Sequence, residues 1–286
     1  MKILITGSTG FIGRQFIKQF HSDYKIHALV RVGKGGSVDR ANTYEYDGSI
    51  ESIKASLEGV DIVLHLATYY TAVHREEDIS PLIDANICFG ANLLEAMKQM
   101  GVNRIVNIGT TWQKFGDSDH SYANLYAATK QAFQELLSYY SDAHRWCSLS
   151  LHLNDTYGKE DHRKKIIQLL IDTAKAESLL DMSPGEQRFE TCHISDVLSA
   201  MKIALERVMS MTEAQNEEFS ILTGDDTSLK ELVSIIESVV SKPIHINWGA
   251  RAYRDREVMT LPAQTYKTLP GWYKQVSIED GIKELI

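Results

Sequence analysis

The chain has 286 residues and a mass of 32.2 kDa, enough for one large or two modest domains with a full hydrophobic core. Its hydrophobic fraction of 43% and charged fraction of 24% exclude a disordered, collagen-like or coiled-coil protein. The formal net charge is −8 and the pI is about 5.7, which argues against a general affinity for nucleic acids or anionic membranes.

Cysteine and histidine usage points to a reducing compartment and no metal site. Cys88, Cys147 and Cys192 are far apart and odd in number, so they predict neither a disulfide framework nor a zinc ribbon. No two of the ten histidines stand three or four residues apart, as a helical metal-binding pair would. The apolar N-terminal run is too short for a signal peptide, and no stretch approaches the roughly 20 apolar residues of a membrane span. We therefore expect a cytoplasmic protein.

The first two-thirds of the chain alternates between strand and helix patterns. Short apolar runs predict strands, and apolar residues at helical spacing predict helices. In chain order, we expect strands at 2–6, 25–30, 61–66, 104–108 and 147–151, and helices at 11–21, 80–100 and 122–140. Apolar strands alternating with helices predict an α/β fold: a Rossmann-type, doubly wound parallel sheet with helices on both faces.

The alternation fades beyond about residue 155. There the pattern predicts a basic helix at 163–177, a Pro-Gly turn at 184–185 and helices at 195–208 and 228–241. We expect these to form a smaller C-terminal region that caps the sheet. Because no linker is visible, the two regions are expected to interweave.

A glycine-rich turn joins the first strand to the first helix. Gly7 permits a tight turn, Gly10 lets an anion approach the backbone, and Gly13 lets the helix pack closely on the sheet. Free N–H groups and the helix dipole favour a pyrophosphate there. The strand–glycines–helix order disfavours the alternative of a turn without a ligand. The residues expected to bind a dinucleotide are Gly7, Thr9, Gly10, Phe11, Ile12 and Gly13.

The G-x-x-G-x-x-G spacing resembles the short-chain dehydrogenase/reductase superfamily, in its extended, nucleotide-sugar-modifying branch. The segment His65-Leu66-Ala67-Thr68 resembles the H-L-A-A of that branch and departs from it at Thr68. Residues 86–96 resemble its N-x-x-G-T-x-N-L-L-E-A helix, although Asn86 is equally consistent with a polar core residue bonded to backbone. The resemblance covers most of the chain and is densest up to about residue 200.

The end of the second strand indicates which dinucleotide binds. An acidic residue there would bond the ribose 2′-hydroxyl of NAD. Here Arg31 stands instead, with Lys34 nearby. Because a guanidinium binds a 2′-phosphate in a fork, we predict NADP(H), the alternative being a solvated surface arginine. The resemblance implies three further cofactor contacts, at Asp47, Leu66 and Ala67.

A Tyr-x-x-x-Lys motif, Tyr126 and Lys130, falls on the helix at 122–140. Residues four apart share a helix face, and an ammonium beside a phenol lowers its pKa toward the working range of an acid–base catalyst. The alternative is a partly buried aromatic beside a solvated lysine. The resemblance implies that Tyr126 and Lys130 also bind the cofactor, and that a third group, the hydroxyl of Thr111 or else Thr110, orients the reacting oxygen.

Two groups of catalytic residues found in some members of this branch are absent from this sequence, which reduces the number of reactions to be expected. The 4,6-dehydratases of this branch carry an Asp-Glu pair after the catalytic threonine, where Trp112 and Gln113 stand here. Its C3/C5-epimerising members use a Cys–His pair, whereas Cys147 falls on a strand predicted to be buried. Dehydration and C3/C5 epimerisation are therefore disfavoured.

The substrate residues are predicted from segments that resemble the branch or follow strand ends. Residues 151–158 resemble L-R-x-x-N-V-Y-G, with His152 in place of the arginine and Asp155 in place of the asparagine; Asp155 would bond a sugar hydroxyl or a nearby lysine. Residues 187–197 resemble R-D-x-x-H-V-x-D-V, but the arginine, Arg188, stands one residue earlier than in that motif. Because side chains alternate along a strand, Arg188 can therefore point to the opposite face. The predicted substrate-binding residues are Thr68, Tyr69, Thr111, Asn154, Asp155, Lys165, Arg188 and Arg254.

Several of these residues have a purely structural alternative. The basic run 163–165 is also typical of a solvated helix face. The charged residues at 253–257 are equally consistent with surface ion pairs. Residues 69–71 would either touch a sugar or pack as part of a lid.

These features predict an NADPH-dependent reductase acting on the C4 ketone of a nucleotide-diphosphate 4-keto-6-deoxy sugar, with Tyr126 as proton donor. The outline most resembles bacterial CDP-sugar 4-ketoreductases that make paratose or abequose, which implies deoxysugar biosynthesis for a lipopolysaccharide O-antigen; GDP and dTDP remain open. The alternatives are an NAD-dependent C4 epimerase and a nonenzymatic NADP(H)-sensing protein.

The same features predict how the chain is divided into domains. We assign residues 1–158, with about 189–210, to the NADP(H)-binding domain, and most of 159–286 to substrate binding. The resemblance implies a homodimer formed through the helices at 80–100 and 122–140.

Overall fold

Seven parallel strands form the central sheet of the protein. The computed structural model describes residues 1–33, 36–116, 120–163, 165–261 and 266–286. In spatial order the strands are β11 (Gln215–Ser220), β6 (Cys147–Leu153), β5 (Arg104–Thr110), β4 (Ile62–His65), β1 (Lys2–Thr6), β2 (Lys25–Arg31) and β3 (Asn42–Tyr46). The inner strands are apolar runs because helices cover both faces of the sheet. The Rossmann-type prediction is confirmed.

Two helical layers enclose this sheet. On one face, α1 (Phe11–Phe20) and α7 (Ile194–Ser210) pack side chains such as Phe16 and Met201 against β1 and β6. The other face is covered by α2 (Ile50–Lys54), α4 (Phe89–Met100) and α5 (Leu125–His144). The order of the sheet reverses between β1 and β4, which opens a crevice at the carboxyl ends of these two strands.

A second, smaller core lies beyond the carboxyl edge of the sheet. It is built by α6 (Ile166–Ala176), α8 (Leu229–Val240) and α9 (Ile278–Lys283), with Leu170 and Ile236 at its centre. Short strand pairs connect it: β7 (Asp155–Tyr157) with β10 (Thr191–His193), β9 (Arg188–Phe189) with β12 (Thr227–Ser228), and β8 (Leu180–Met182) with β13 (Ile246–Trp248).

The observed elements differ from the predicted ones at three places. The helix expected at 80–100 consists of α3 (Ile79–Ile83), a π-helical turn (Asp84–Cys88) and α4. The basic helix expected at 163–177 begins only at Ile166, so Arg163 and Lys165 precede it; Lys164 lies outside the described residues. Two strands of the sheet, β3 and β11, were not predicted. Within the described ranges, no helix is both long and apolar enough to cross a bilayer.

Candidate active site

The glycine turn forms a tight cradle at the end of β1. Gly7 has φ +70°, and a Cβ atom there would lie 2.7 Å from the backbone nitrogen of Ala67. A Cβ on Gly13 would lie 2.4 Å from the carbonyl oxygen of Gly7, so only glycine lets α1 begin this close to the strand. No side chain caps the N-terminus of α1 at Gly10, which leaves its first N–H groups for an anion. The cradle therefore fits a dinucleotide pyrophosphate.

The loop after β4 lies against this turn. The hydroxyl oxygen of Thr6 accepts hydrogen bonds from the backbone nitrogens of Leu66, at 3.2 Å, and Ala67, at 3.1 Å. The same hydroxyl bonds Nδ1 of His65 at 2.8 Å. The structure thus brings the predicted residues Leu66 and Ala67 to the edge where the glycine turn lies.

Arg31 and Asp47 lie at the ends of the neighbouring strands β2 and β3, whose register pairs Arg31 with Tyr46. Both side chains are exposed, and Lys34 lies outside the described residues. The Asp47 carboxylate accepts hydrogen bonds from the hydroxyl and the backbone nitrogen of Ser49, which lower its pKa. Among the described residues, Arg31 makes no ion pair within 4 Å, so its guanidinium is available to an anion at this edge.

Tyr126 and Lys130 lie one turn apart on the buried face of α5. Asn124 starts this helix: its side-chain oxygen accepts from the backbone nitrogen of Ala127 at 2.9 Å. Burial raises the pKa of Tyr126 to about 12, opposed in part by the charge of Arg163. Burial lowers the pKa of Lys130 to about 8.

Thr111 supplies a buried hydroxyl beside the cavity, after the end of β5. It opens a 3₁₀ turn, Thr111–Gln113, that Thr110 caps by accepting a hydrogen bond from the backbone nitrogen of Trp112 at 3.3 Å. Because this cap uses the hydroxyl of Thr110, Thr111 is the better candidate of the two.

A cavity of about 490 Å³ lies beside these residues. Of the predicted substrate residues, it is lined by Thr111, Asn154, Asp155, Lys165, Arg188 and Arg254. Its volume suits a small organic ligand. Its lining combines aromatic side chains, among them Tyr70 and Trp112, with charged ones, and the ammonium of Lys165 lies 5.9 Å from the ring centroid of Tyr70.

The two adjacent tyrosines after β4 point to different places. The hydroxyl of Tyr69, the predicted ligand, donates to Asp78 at 2.6 Å. Tyr70 lines the cavity instead: its ring stands edge-on to Tyr126 at 5.0 Å and lies 6.2 Å from the ring of Trp112. The structure thus places Tyr70 in the cavity lining and Tyr69 against Asp78, a difference that the sequence could not give because the loop after a strand has no fixed alternation.

The predicted cations differ in their availability. Arg188 donates to Asp226 at 2.6 Å and Glu231 at 3.2 Å, so its guanidinium binds acidic residues of the C-terminal region. Lys165 pairs with Asp155 at 2.8 Å, the lysine contact that the sequence allowed for this acid. Burial alone would raise the pKa of Asp155, but this ion pair holds it below its usual value. Arg254 pairs with Glu257 at 3.2 Å.

Two further groups lie at the site: Arg163, which the sequence offered only as one of the basic residues 163–165, and Glu190, which it did not assign. Arg163 lies with its guanidinium 4.9 Å from the ring of Phe11 in the glycine turn and pairs with Asp161 at 2.7 Å, so it joins the turn to the cavity. Glu190 also lines the cavity; burial raises its pKa, although it accepts hydrogen bonds from Thr223 and Gly224. In the motif R-D-x-x-H-V-x-D-V an aspartate follows the arginine, and Glu190 stands at the position of that aspartate. This position was the only sequence signal for a role of Glu190 at the site.

No group of three or more histidine, cysteine, aspartate or glutamate side chains that could hold a metal ion occurs in the described part of the chain. The site instead contains a glycine turn that fits a pyrophosphate, the buried residues Tyr126 and Lys130, and a cavity whose lining residue Tyr70 contacts Tyr126.

Such a combination is typical of Rossmann-type enzymes that bind a dinucleotide, and the sequence comparisons give the family. The sequence model of the NAD dependent epimerase/dehydratase family matches residues 3–221, and the chain belongs to this family, the extended branch of the short-chain dehydrogenase/reductase superfamily. The resemblance predicted from the motifs is thereby confirmed.

Particular relatives match over their whole length. The chain is 30% identical to the CDP-abequose synthase of Salmonella muenchen over 290 residues, which cover 100% of this chain and 97% of that one. It is 31% identical to the CDP-abequose synthase of Yersinia pseudotuberculosis, with 100% and 98% covered, and 23% identical to the dTDP-4-dehydro-6-deoxyglucose reductase of Escherichia coli, with 99% and 96% covered.

Solved structures share the fold. A UDP-glucose 4-epimerase matches with a TM-score of 0.84 at 20% identity, covering 99% of this chain and 96% of that chain. MoeE5 in complex with UDP-glucuronic acid and NAD matches with a TM-score of 0.81 at 20% identity, with 99% and 96% covered. At this identity the likeness establishes the architecture and not the substrate.

Proposed function

We propose that this protein uses NADPH to reduce the C4 ketone of a nucleotide-diphosphate 4-keto-6-deoxy sugar. The observation that carries the proposal is the buried pair Tyr126 and Lys130 on α5: the ring of Tyr126 lies 5.0 Å from that of Tyr70, which lines the cavity together with Thr111. The names of the full-length relatives, CDP-abequose synthase and dTDP-4-dehydro-6-deoxyglucose reductase, support a nucleotide-sugar substrate.

The cofactor residues are proposed to act in three places. The glycine turn would hold the pyrophosphate, with Thr9, Phe11 and Ile12 around it. Leu66 and Ala67 would line the cofactor at the end of β4, and Asp47 would lie near the adenine. Arg31 would hold the 2′-phosphate that distinguishes NADPH from NADH. Bound NADPH would supply the hydride to the carbonyl carbon.

Tyr126 is proposed as the acid that protonates the carbonyl oxygen. With its pKa raised to about 12, the phenol carries its proton at neutral pH, which suits reduction of a ketone. Oxidation of an alcohol would instead require the phenolate at the start. Thr111 would hydrogen-bond the reacting oxygen and orient it for transfer. Lys130, charged at neutral pH, would hold the nicotinamide ribose and stabilise the developing phenolate.

The cavity would orient the substrate by contacts to both its sugar and its diphosphate. The ring of Tyr70, edge-on to Tyr126, and the ring of Trp112, 6.2 Å from that of Tyr70, would suit the deoxygenated part of the sugar. The diphosphate would lie among Arg163, Lys165 and Arg254. Each of these cations now pairs with a carboxylate, and a phosphate oxygen would replace that carboxylate when the substrate binds. Asn154 and Asp155 would bond sugar hydroxyls.

The experiment is NADPH and NADH oxidation at 340 nm with CDP-, GDP- and dTDP-4-keto-6-deoxy sugars. Rapid NADPH oxidation with one nucleotide would support the reductase and identify the base. Tightly bound NAD in the purified protein, with conversion of a UDP-sugar to its C4 epimer and no net oxidation, would favour the epimerase. Tight NADP(H) binding with neither reaction would favour a sensor and refute the proposal.

We further propose a cytoplasmic homodimer that serves deoxysugar biosynthesis for a lipopolysaccharide O-antigen. Apolar side chains on the helices expected at the interface are exposed: Tyr139 by 63%, Met100 by 40% and Ile83 by 36%. Light scattering coupled to gel filtration would measure the mass, and a monomer of 32.2 kDa would refute the dimer.

A further inference from the structure

We propose that His152 is a positioning residue for Thr111: as an imidazolium paired with Glu218, it donates the hydrogen bond that fixes the peptide group preceding Thr111. This role rests on the proposed function of Thr111, which is to orient the reacting oxygen. His152 and Glu218 take no other part in the proposed reaction.

The fold brings His152 to the carboxyl end of β5. It lies on β6 opposite Gly109 in the register of the sheet, and its side chain is completely buried. A Cβ atom on Gly109 would lie 2.6 Å from Nδ1 of His152, so a side chain at that position would displace the imidazole. With glycine there, Nδ1 reaches the carbonyl oxygen of the next residue, Thr110, at 3.2 Å.

That carbonyl belongs to the peptide group that joins Thr110 to Thr111. The hydroxyl of Tyr266 lies 3.5 Å from the same oxygen, at the limit of a hydrogen bond, which leaves His152 as its principal side-chain donor. On the other side of Thr110, its backbone nitrogen donates to Oε1 of Gln113 at 2.9 Å. Because rotation of the Thr110–Thr111 peptide group would turn the side chain of Thr111, this donor helps to set where the Thr111 hydroxyl points.

Both nitrogens of the His152 ring face acceptors. Nδ1 faces the carbonyl oxygen of Thr110, and Nε2 lies 2.8 Å from Oε1 of Glu218. Both Nε2 and this carboxylate oxygen are shielded from solvent, and neither has another hydrogen-bond partner in the described part of the chain. A neutral imidazole carries one N–H group, whereas an imidazolium carries two. Only the imidazolium can donate to the carbonyl and to the carboxylate at once.

Three charged or titratable groups face this ring among the described residues. Glu218 supplies the carboxylate from β11, and its contact with His152 lowers the pKa of Glu218 below the usual value. The ring of Tyr266 lies against the imidazole at a centroid distance of 4.6 Å, and the ammonium of Lys114 lies 5.0 Å from the centroid of that tyrosine ring. The one ion pair of the imidazole is therefore with the carboxylate, which stabilises its charge.

Loss of the second proton would break the arrangement. A neutral ring protonated at Nε2 would turn a lone pair of Nδ1 toward the carbonyl oxygen of Thr110. A neutral ring protonated at Nδ1 would leave the buried oxygen of Glu218 unpaired, which is costly. Glu218→Gln removes this conflict, because the glutamine amide can donate to a neutral Nε2 while Nδ1 still donates to Thr110.

Two amide substitutions separate the two ring nitrogens. The side-chain nitrogen of asparagine takes the place of Nδ1, and that of glutamine takes the place of Nε2. His152→Asn therefore keeps a donor for Thr110, whereas His152→Gln keeps one for Glu218 only. His152→Gln should lower kcat about 5–10-fold with little change in the KM for NADPH, and His152→Asn should stay within about 3-fold of the original protein. Equal losses, or the reverse order, would overturn the proposal.

A double-mutant cycle with Thr111→Val shows whether His152 acts through Thr111. In the Thr111→Val background, His152→Gln should change kcat by less than about 2-fold, since no hydroxyl remains to be positioned. The control is His27→Gln: His27 is also buried, its Nδ1 lies 2.7 Å from the carbonyl oxygen of Ser56, and its ring lies against Tyr44. This control should stay within about 2-fold of the original protein. A full loss from His152→Gln in both backgrounds would indicate a general structural role and overturn the proposal.

A measurement without sugar separates this inference from the proposed function. Thr110–Thr111 is the only Thr-Thr pair in the sequence. Protein labelled with ¹³C′,¹⁵N-threonine therefore gives one HNCO signal, from the carbonyl of Thr110 and the amide of Thr111. His152→Gln should shift this signal and His152→Asn should largely retain it, with circular dichroism confirming the fold. A signal unchanged in His152→Gln would overturn the role of His152, whether or not any nucleotide sugar is reduced.

The ¹⁵N NMR signals of the His152 ring, which are those absent in His152→Gln, give its protonation state. Both ring nitrogens should carry a proton at pH 7. At alkaline pH the HNCO signal should move in the original protein and remain in place in Glu218→Gln. A His152 ring with a single N–H group at pH 7 would overturn the proposed imidazolium.

Discussion

Replacing Lys130 with methionine is expected to stabilise the cofactor-free protein while removing its activity. Lys130 is 3% exposed, and among the described residues no carboxylate offsets its charge. Burial lowers the pKa of this ammonium from 10.5 to about 8. Methionine occupies a similar volume without a charge and adapts to irregular packing.

The size of the effect follows from this pKa. The pKa of Lys130 lies at about 8 in the folded protein and at 10.5 in the unfolded chain. At ~1.36 kcal/mol per pKa unit, the charged lysine lowers the free energy of unfolding by ~3 kcal/mol at pH 7. Since the unfolded state binds the proton more tightly, the full cost applies below about pH 8. It disappears as pH rises toward 10.5, where the lysine is neutral in both states.

Urea denaturation followed by circular dichroism at pH 7 and pH 9.5 would measure the difference. Lys130→Met should gain ~3 kcal/mol in the free energy of unfolding at pH 7 and clearly less at pH 9.5. Lys98→Met is the matched control, because Lys98 is exposed on α4 beside Glu95, and it should change stability by less than about 0.5 kcal/mol. A loss of stability at pH 7, or a gain independent of pH, would refute the reasoning.

Three further variants test the cofactor site and the acid. Tyr126→Phe should lower reduction by about 10²–10⁴-fold and leave NADPH affinity unchanged by calorimetry; surviving turnover would identify another acid. Gly13→Ala should weaken NADPH binding by about 10–100-fold, because its Cβ would lie 2.4 Å from a backbone oxygen, whereas Gly101→Ala, in open space, should not affect Kd. Arg31→Gln should raise KM for NADPH by about 10–100-fold and spare NADH, and equal losses for both would contradict the 2′-phosphate role.

The parts of the fold predicted from sequence are those with a strong local signal. The glycine turn requires a strand before it and a helix after it, so its three glycines located β1 and α1 together. The inner strands were recognisable because burial on both faces leaves apolar runs. The edge strands gave no such signal: β3 reads NTYEY and β11 begins QNEE, since one side of each strand has no neighbouring strand.

The limits of site prediction have a similar cause. Tyr126 and Lys130 could be paired from sequence because a helix has a fixed period. Tyr69 and Tyr70 could not be distinguished, because the loop that carries them has none. The direction of Arg188 depended on partners about 40 residues away, Asp226 and Glu231, and no local pattern records such an ion pair.

Strand β11 belongs to the second half of the chain but pairs with β6 of the first half, which limits where the protein can be cut into fragments. Every side chain of β6 is buried, and β11 supplies the hydrogen-bonded neighbour along its outer edge. A fragment ending at residue 158 would present that edge bare, as an apolar template for pairing with other chains. Exchange of the C-terminal region between relatives would therefore require two junctions, one on each side of α7 and β11, because a single junction at residue 158 would pair β6 of one parent with β11 of the other.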